Sequence, residues 1–218
     1  LLEEFYKFAI NINDIDIEKF HSNCTKMYKT KTYERIKYFQ DTAIDNINSI
    51  NDIHVESILK IVNKIDWNEI ITTALPTKFH GDFQPENIII EGKKITFIDW
   101  RESFGDDIEI GDFYYDLAKL YHGLIINGNI VKEKKYSVNI ENDNAVISYS
   151  TKDNLIEFKT ILEEFCRKHN LDYNKVQLLG VLQYLNIAEF YTDTEPEYSR
   201  FIFLLGKLLM TEIMGEKK

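Results

Sequence analysis

From Leu1 to about Ala74, apolar residues recur at steps of three and four, with Leu2, Phe5, Tyr6 and Ala9 in one stripe and Phe20, Cys24, Met27 and Tyr28 in another. That spacing predicts helices that bury one face. Asn51 or Asp52 stands where it would cap a helix burying Val55, Ile58, Leu59 and Val62. No strand pattern precedes Pro76. At residues 88 to 98 the pattern changes to "IIIEGKKITFI", two β-rich runs joined by Glu91-Gly92-Lys93-Lys94, which predicts a hairpin. Helical spacing returns in "GDFYYDLAKLYHGLI", where Phe113, Leu117, Leu120 and Leu124 form a stripe and Asp112 occupies a capping position. Alternation in "YSVNIENDNAVISYS", residues 136 to 150, predicts a second, inserted hairpin turning at Asn142-Asp143-Asn144. Three amphipathic segments follow, at about 152–169, 174–191 and 197–214. The expected fold is α+β and predominantly helical, a single domain over residues 1–218 carrying two small hairpins.

Charge narrows the list of partners. Thirty-six acidic residues against 26 basic ones give a formal charge of -10, which repels phosphate backbones and anionic lipid surfaces. Nucleic acid is not an expected partner. Cys24 and Cys166 form neither a disulfide framework nor a zinc motif, which fits a reducing, cytoplasmic setting. The most apolar run, "FIFLLGKLLM" from Phe201 to Met210, carries Lys207 and is shorter than the roughly 20 residues of a membrane span. His21, His54, His122 and His169 occur singly on helical segments and read as surface or partly buried residues.

The first hairpin concentrates the candidate chemistry. If Ile90 faces Ile95, then Asn87 faces Ile98 and Asp99 lies one step beyond. Adjacent strands are about 4.8 Å apart, so a carboxamide and a carboxylate emerge together at the open end, within reach of one cation. Two oxygen ligands suit Mg²⁺, which takes its remaining ligands from water and substrate phosphates. Asp82, five residues before Asn87, approaches the same place from the loop. A carboxylate there can accept the proton of an attacking hydroxyl and orient it.

"HGDFQPEN" has the H-x-D-x-x-x-x-N spacing of the protein-kinase catalytic loop, and "IDW" falls where the metal-binding Asp of the second strand belongs. With Gly81, Trp100 and the following "GDFYYDLA", these residues resemble the aminoglycoside phosphotransferase and choline kinase branch of the protein-kinase-like fold. "KMYKTKTYERIKYF" is similar to a helical segment of bacterial small-molecule kinases of that branch, although the specific motifs are confined to residues 80 to 118. The resemblance implies a kinase-like C-terminal lobe that moves the γ-phosphoryl group of ATP to a hydroxyl of an aminoglycoside, choline, ethanolamine or sugar. It implies Asp82 as catalytic base, and Asn87 and Asp99 as ligands of Mg²⁺ and, through it, of ATP. His80, Asp112 and Asp116 would be structural supports.

Two departures from that pattern matter. Gln84 stands where protein kinases have a phosphate-contacting Lys, and the nine scattered glycines form no glycine-rich phosphate loop ahead of Asp82. The chain, which begins without Met, is therefore expected to be a piece whose partner is the missing N-terminal lobe of the same polypeptide, and to be inactive alone. Tyr184, Glu189, Tyr191 and Asp193 are candidates for an acceptor pocket suited to a cationic amine, although the same spacing also describes core and solvated face. Arg101 and Glu102 are loop candidates for substrate contact. The alternative function is a non-catalytic kinase-like binding module. A metal-dependent hydrolase is disfavoured because no His or Cys reinforces the metal site.

Overall fold

In the computed structural model, which describes residues 1–12 and 14–215, the first apolar stripes become α1 (Leu2–Ala9), α2 (Ile17–Thr25) and α3 (Lys31–Ile36). The Asp16 carboxylate starts α2 by accepting the Lys19 N–H at 3.0 Å. Between α2 and α3 the chain makes a π-helical turn over Lys26–Thr30. Such a turn inserts a residue into the helical ladder and is frequent at functional sites.

Residues 49 to 54 overturn the expectation that no strand precedes Pro76. They form β1 (Ser49–Ile50) and β2 (Ile53–His54). Asn51 and Asp52 do not cap a helix; at φ 50° and 64° they make the tight turn between these strands. Asn and Asp tolerate that left-handed backbone better than other non-glycine residues, which suits them to two-residue hairpin turns. Val55 and Ile58 are buried as expected, but α4 (Ile58–Val62) starts after Ser57, and Leu59 is exposed. The Asp45 carboxylate accepts the Ile58 N–H at 2.7 Å. α5 (Trp67–Thr72) is capped by Asp66.

The middle of the chain holds β3 (Pro76–Lys78), β4 (Ile88–Glu91), β5 (Lys94–Phe97) and β6 (Ile110–Asp112), followed by α6 (Phe113–Gly123) and α7 (Gly128–Lys132). β4 and β5 form the expected antiparallel hairpin in the expected register, with Ile90 opposite Ile95. β3 pairs antiparallel with β6, Pro76 opposite Asp112, so the segment between β3 and β4 is returned to the start of α6.

The inserted hairpin is β7 (Tyr136–Glu141) with β8 (Asn144–Tyr149). It is not free-standing. β8 also pairs in parallel with β1, giving a four-stranded sheet ordered β2-β1-β8-β7. The Asn51 side chain fastens this junction by accepting the Ile147 N–H at 2.9 Å and donating to the Ile147 carbonyl at 3.0 Å.

The chain closes with α8 (Asp153–Lys168), α9 (Tyr173–Ala188) and α10 (Pro196–Gly215). The core lies where α9 packs on α6 and α10, and α6 is buried at every position but Lys119. α10 carries fully buried Lys207, whose ammonium donates to the Asp45 and Ile47 carbonyls at 2.7 and 3.0 Å. Among the described residues no helix is long and apolar enough to cross a membrane. Cys24 and Cys166 are free and fully buried, and burial pushes both thiols well up from their ordinary pKa.

Candidate phosphoryl-transfer site

The site is built upward from two aspartates at the head of α6. Asp112 caps the helix, accepting the Tyr114 N–H at 3.1 Å, the Leu75 N–H at 2.9 Å and the Tyr28 hydroxyl at 2.6 Å. One turn on, fully buried Asp116 accepts the backbone N–H groups of His80 at 2.9 Å and Gly81 at 2.7 Å. Burial pushes the Asp116 carboxyl up to about 7 even though both N–H donors favour its ionised form. Asp116 thus fixes the backbone of the loop, and Asp112 fixes the helix that carries Asp116.

Gly81 has φ +79°, and a Cβ there would lie 2.4 Å from the Arg101 Cβ. Only glycine lets the loops before and after the β4–β5 hairpin approach this closely. The approach is closed by a hydrogen bond from the Arg101 N–H to the His80 carbonyl at 2.8 Å. The His80 ring is buried against Trp100, with centroids 4.6 Å apart, and its Nδ1 accepts the Asp82 N–H at 3.2 Å. Burial lowers the His80 pKa, against the pull of the Ile98 carbonyl and the Asp82 and Asp99 carboxylates. A neutral ring accepting at Nδ1 braces the loop and has no labile charge to contribute.

Asp82 is held on both oxygens. Oδ1 pairs with the Lys119 ammonium at 3.0 Å, and Oδ2 accepts from Gln84 at 3.1 Å and from the Asn87 amide at 3.0 Å. Its side chain keeps 27% of its surface open to solvent, so a substrate hydroxyl can reach it. The Asn87 amide nitrogen also donates to the Asp82 carbonyl at 2.9 Å. With that NH₂ group spent, Asn87 Oδ1 has no hydrogen-bond partner among the described residues.

The Asn87 carbonyl accepts the Ile98 N–H at 3.0 Å, so Asn87 and Ile98 face each other across the hairpin and Asp99 follows at its mouth. Asp99 is exposed at φ 60°, and its carboxylate has no hydrogen bond or ion pair among the described residues. A left-handed backbone at a non-glycine residue costs on the order of 1 kcal/mol and gathers at functional sites. Asn87 and Asp99 therefore stand at the same end of the hairpin. Among the described residues no group of three or more His, Cys, Asp or Glu side chains gathers around a common point.

Lys119 is the residue that sequence reasoning missed. Its signal was present: it lies three residues after Asp116 on α6, and side chains at that spacing share a helix face. Burial works against its ammonium, but the Tyr115 hydroxyl and the Asp82 carboxylate outweigh it, and its pKa is raised. Of the two readings of Tyr184, Glu189, Tyr191 and Asp193, core and solvated face fits the structure better than an acceptor wall. The Tyr184 hydroxyl is buried and donates to the His122 carbonyl at 2.7 Å, Glu189 is paired with Arg35 at 3.2 Å, Tyr191 packs edge-on against Tyr198, and Asp193 is exposed. His122 is itself buried, its ring tilted 38° to that of Tyr184 with centroids 4.2 Å apart.

Residues 67–130, from the start of α5 into α7, match the family model for the phosphotransferase enzyme family, APH. The matched segment contains His80, Asp82, Asn87, Asp99, Asp112, Asp116 and Lys119. The resemblance to aminoglycoside phosphotransferases and choline kinases therefore rests on a family match as well as on short motifs. No curated protein and no solved structure matches the chain.

Proposed function

We propose that the chain is the acceptor-activating and metal-binding lobe of a small-molecule kinase that moves the γ-phosphoryl group of ATP to a hydroxyl. The observation that carries this reading is a pinned, partly open Asp82 in contact with the Asn87 amide, at the end of the hairpin where Asp99 follows Ile98. Asp82 takes the acceptor hydroxyl's proton as the oxygen forms its bond to the γ-phosphorus, and the bond from that phosphorus to the β,γ-bridging oxygen breaks to release ADP. Lys119, Gln84 and Asn87 hold the Asp82 carboxylate in one orientation, and the Asp116 clamp on His80 and Gly81 holds the loop that carries it. Such positioning provides much of the catalysis in phosphoryl transfer.

The hard oxygen donors of Asn87 and Asp99 fit Mg²⁺ and would hold it. When bound, that ion neutralises phosphate charge and takes its other ligands from water and nucleotide. Residues 1–218 contain no glycine-rich phosphate cover, and the proposal assigns that part to another region of the same polypeptide.

The test is an ATP-consumption screen of the complete polypeptide against aminoglycosides, amino alcohols and sugars. Asp82→Asn is expected to lower kcat by about 10²–10⁴-fold, the scale of a lost general base. Asp99→Ala is expected to act comparably, with the urea midpoint unchanged in both variants. Near-normal turnover in either variant overturns the assignment. Residues 1–218 alone are expected to turn over slowly, and vigorous ATP-dependent turnover by them would count against a separate phosphate cover.

A further inference from the structure

The four-stranded sheet ends on one side in β2, two residues long, and on the other in β7, six residues long. Natural sheets blunt an edge by shortening it, or with Pro, a bulge or an inward-pointing charge. β7 uses none of these. It contains no Pro and pairs with β8 without interruption from Tyr136↔Tyr149 to Glu141↔Asn144. Its core-side residues, Tyr136, Val138 and Ile140, are apolar and share a face with buried Ala145 and Ile147. The Tyr136 ring stacks on Phe201 of α10 with centroids 4.9 Å apart, yet Ile140 is still 37% exposed.

The parity of the hairpin decides which backbone groups are open. The Ser150 N–H donates to the Lys135 carbonyl at 3.1 Å, and successive residues of an antiparallel strand alternate between facing the partner strand and facing away. Lys135, Ser137, Asn139 and Glu141 therefore turn towards β8. Tyr136, Val138 and Ile140 turn their N–H and C=O groups outward, where they have no partner among the described residues.

Self-pairing about a two-fold axis at Val138 satisfies all of them. Val138 then faces Val138 of a second copy, Tyr136 faces Ile140, and each outward N–H meets an outward C=O. On the solvent side the same register sets Lys135 opposite Glu141 of the second copy, twice, at positions where Cα atoms approach to about 4.5 Å. Opposite charges facing across a ladder stabilise it and like charges oppose it. Within one chain these two side chains are held only at the surface, Lys135 by exposed Glu133 at 2.5 Å and Glu141 by the Asn139 amide at 3.5 Å. Sliding the register two residues one way sets Glu141 against Glu133. Sliding it the other way runs Tyr136 onto Asn142, a turn residue at φ 57°.

We infer that β7 is the contact edge of a homodimer, in which two copies of the chain pair antiparallel through Tyr136–Glu141, centred on Val138, and join their sheets into one. This does not rest on the kinase reading.

The test is sedimentation velocity of the complete polypeptide over a concentration series, where a reversible monomer–dimer equilibrium is expected. Lys135→Glu sets like charges opposite each other twice and should weaken association about tenfold. Glu141→Lys should do the same, and the double variant Lys135→Glu/Glu141→Lys should restore it. Val138→Pro removes an outward N–H and spares the β8 ladder, and should abolish the dimer; the charge variants, on the exposed face, decide the matter if Pro disturbs the hairpin. Lys93→Glu, an equal charge change in the β4–β5 turn, should leave association unchanged. A monomer at every concentration overturns the inference and leaves the edge to a strand of another protein. A dimer indifferent to the β7 charge variants, or not restored by the double variant, overturns it as well. So does an equal effect of Lys93→Glu, which would assign the loss to overall repulsion.

Discussion

Asp116 is a buried carboxylate whose hydrogen bonds go to loop backbone, and that choice has a consequence for pH. Its native pKa, about 7, lies above the roughly 3.9 of an unfolded Asp. Between those values the native chain keeps a proton that the unfolded chain has lost. The contribution to stability is complete below about pH 4 and disappears as pH rises through 7. From pH 6 to 8 the wild-type protein is expected to lose on the order of 1 kcal/mol relative to Asp116→Asn, read from urea denaturation at the two pH values. His122 acts in the opposite sense. Burial holds its imidazole down to about 3, with the Lys119 charge adding to the effect, against about 6.5 when unfolded. Its contribution is present above pH 6.5 and is lost as pH falls towards 3. His122→Phe is expected to flatten the acid limb of the stability curve; an unchanged limb would show that other groups dominate it.

At the scale of elements, the β4–β5 hairpin was legible because its alternation, its Gly92 turn and its single consistent register are all local. The same holds for α6 and its Asp112 cap, and for α8, α9 and α10, whose periodicities are long. β1 and β2 were not legible. Two-residue strands carry no periodicity, and Ile50, Val55 and Ile58 fall at spacings a helix also allows, so Asn51 and Asp52 read as a cap. What makes them a turn is β8, nearly a hundred residues later, whose Ile147 backbone the Asn51 side chain binds. Asn51→Ala removes both bonds and a residue suited to φ 50°. It is expected to cost about 1–3 kcal/mol in chemical denaturation without changing kinetic constants. Gly81→Ala belongs to the opposite class. It drives a methyl into Arg101 at a φ that only glycine adopts freely, so it is expected to cost about 2–4 kcal/mol and to depress turnover through the displaced His80–Asp82 loop.

Across the whole molecule, α10 is anchored to the residue 45–47 segment through a lysine with no exposed surface. Burial lowers the Lys207 pKa, with the Asp45 carboxylate 3.5 Å away opposing that shift. Replacing the ammonium strands two carbonyls, whereas Asp45 keeps its bond to the Ile58 N–H. Lys207→Met is expected to lose about 2–4 kcal/mol, and a midpoint within experimental error of wild type would show that the carbonyls find other donors. The chain's two thiols, Cys24 and Cys166, sit in the same interior with their ionised forms disfavoured, and only a thiolate reacts fast with alkylating reagents. Residues 1–218 are therefore a silent background for maleimide chemistry: in them, a cysteine engineered at exposed Glu102 would take up a fluorophore alone, and report occupancy of the neighbouring hairpin mouth without any need to remove the natural pair.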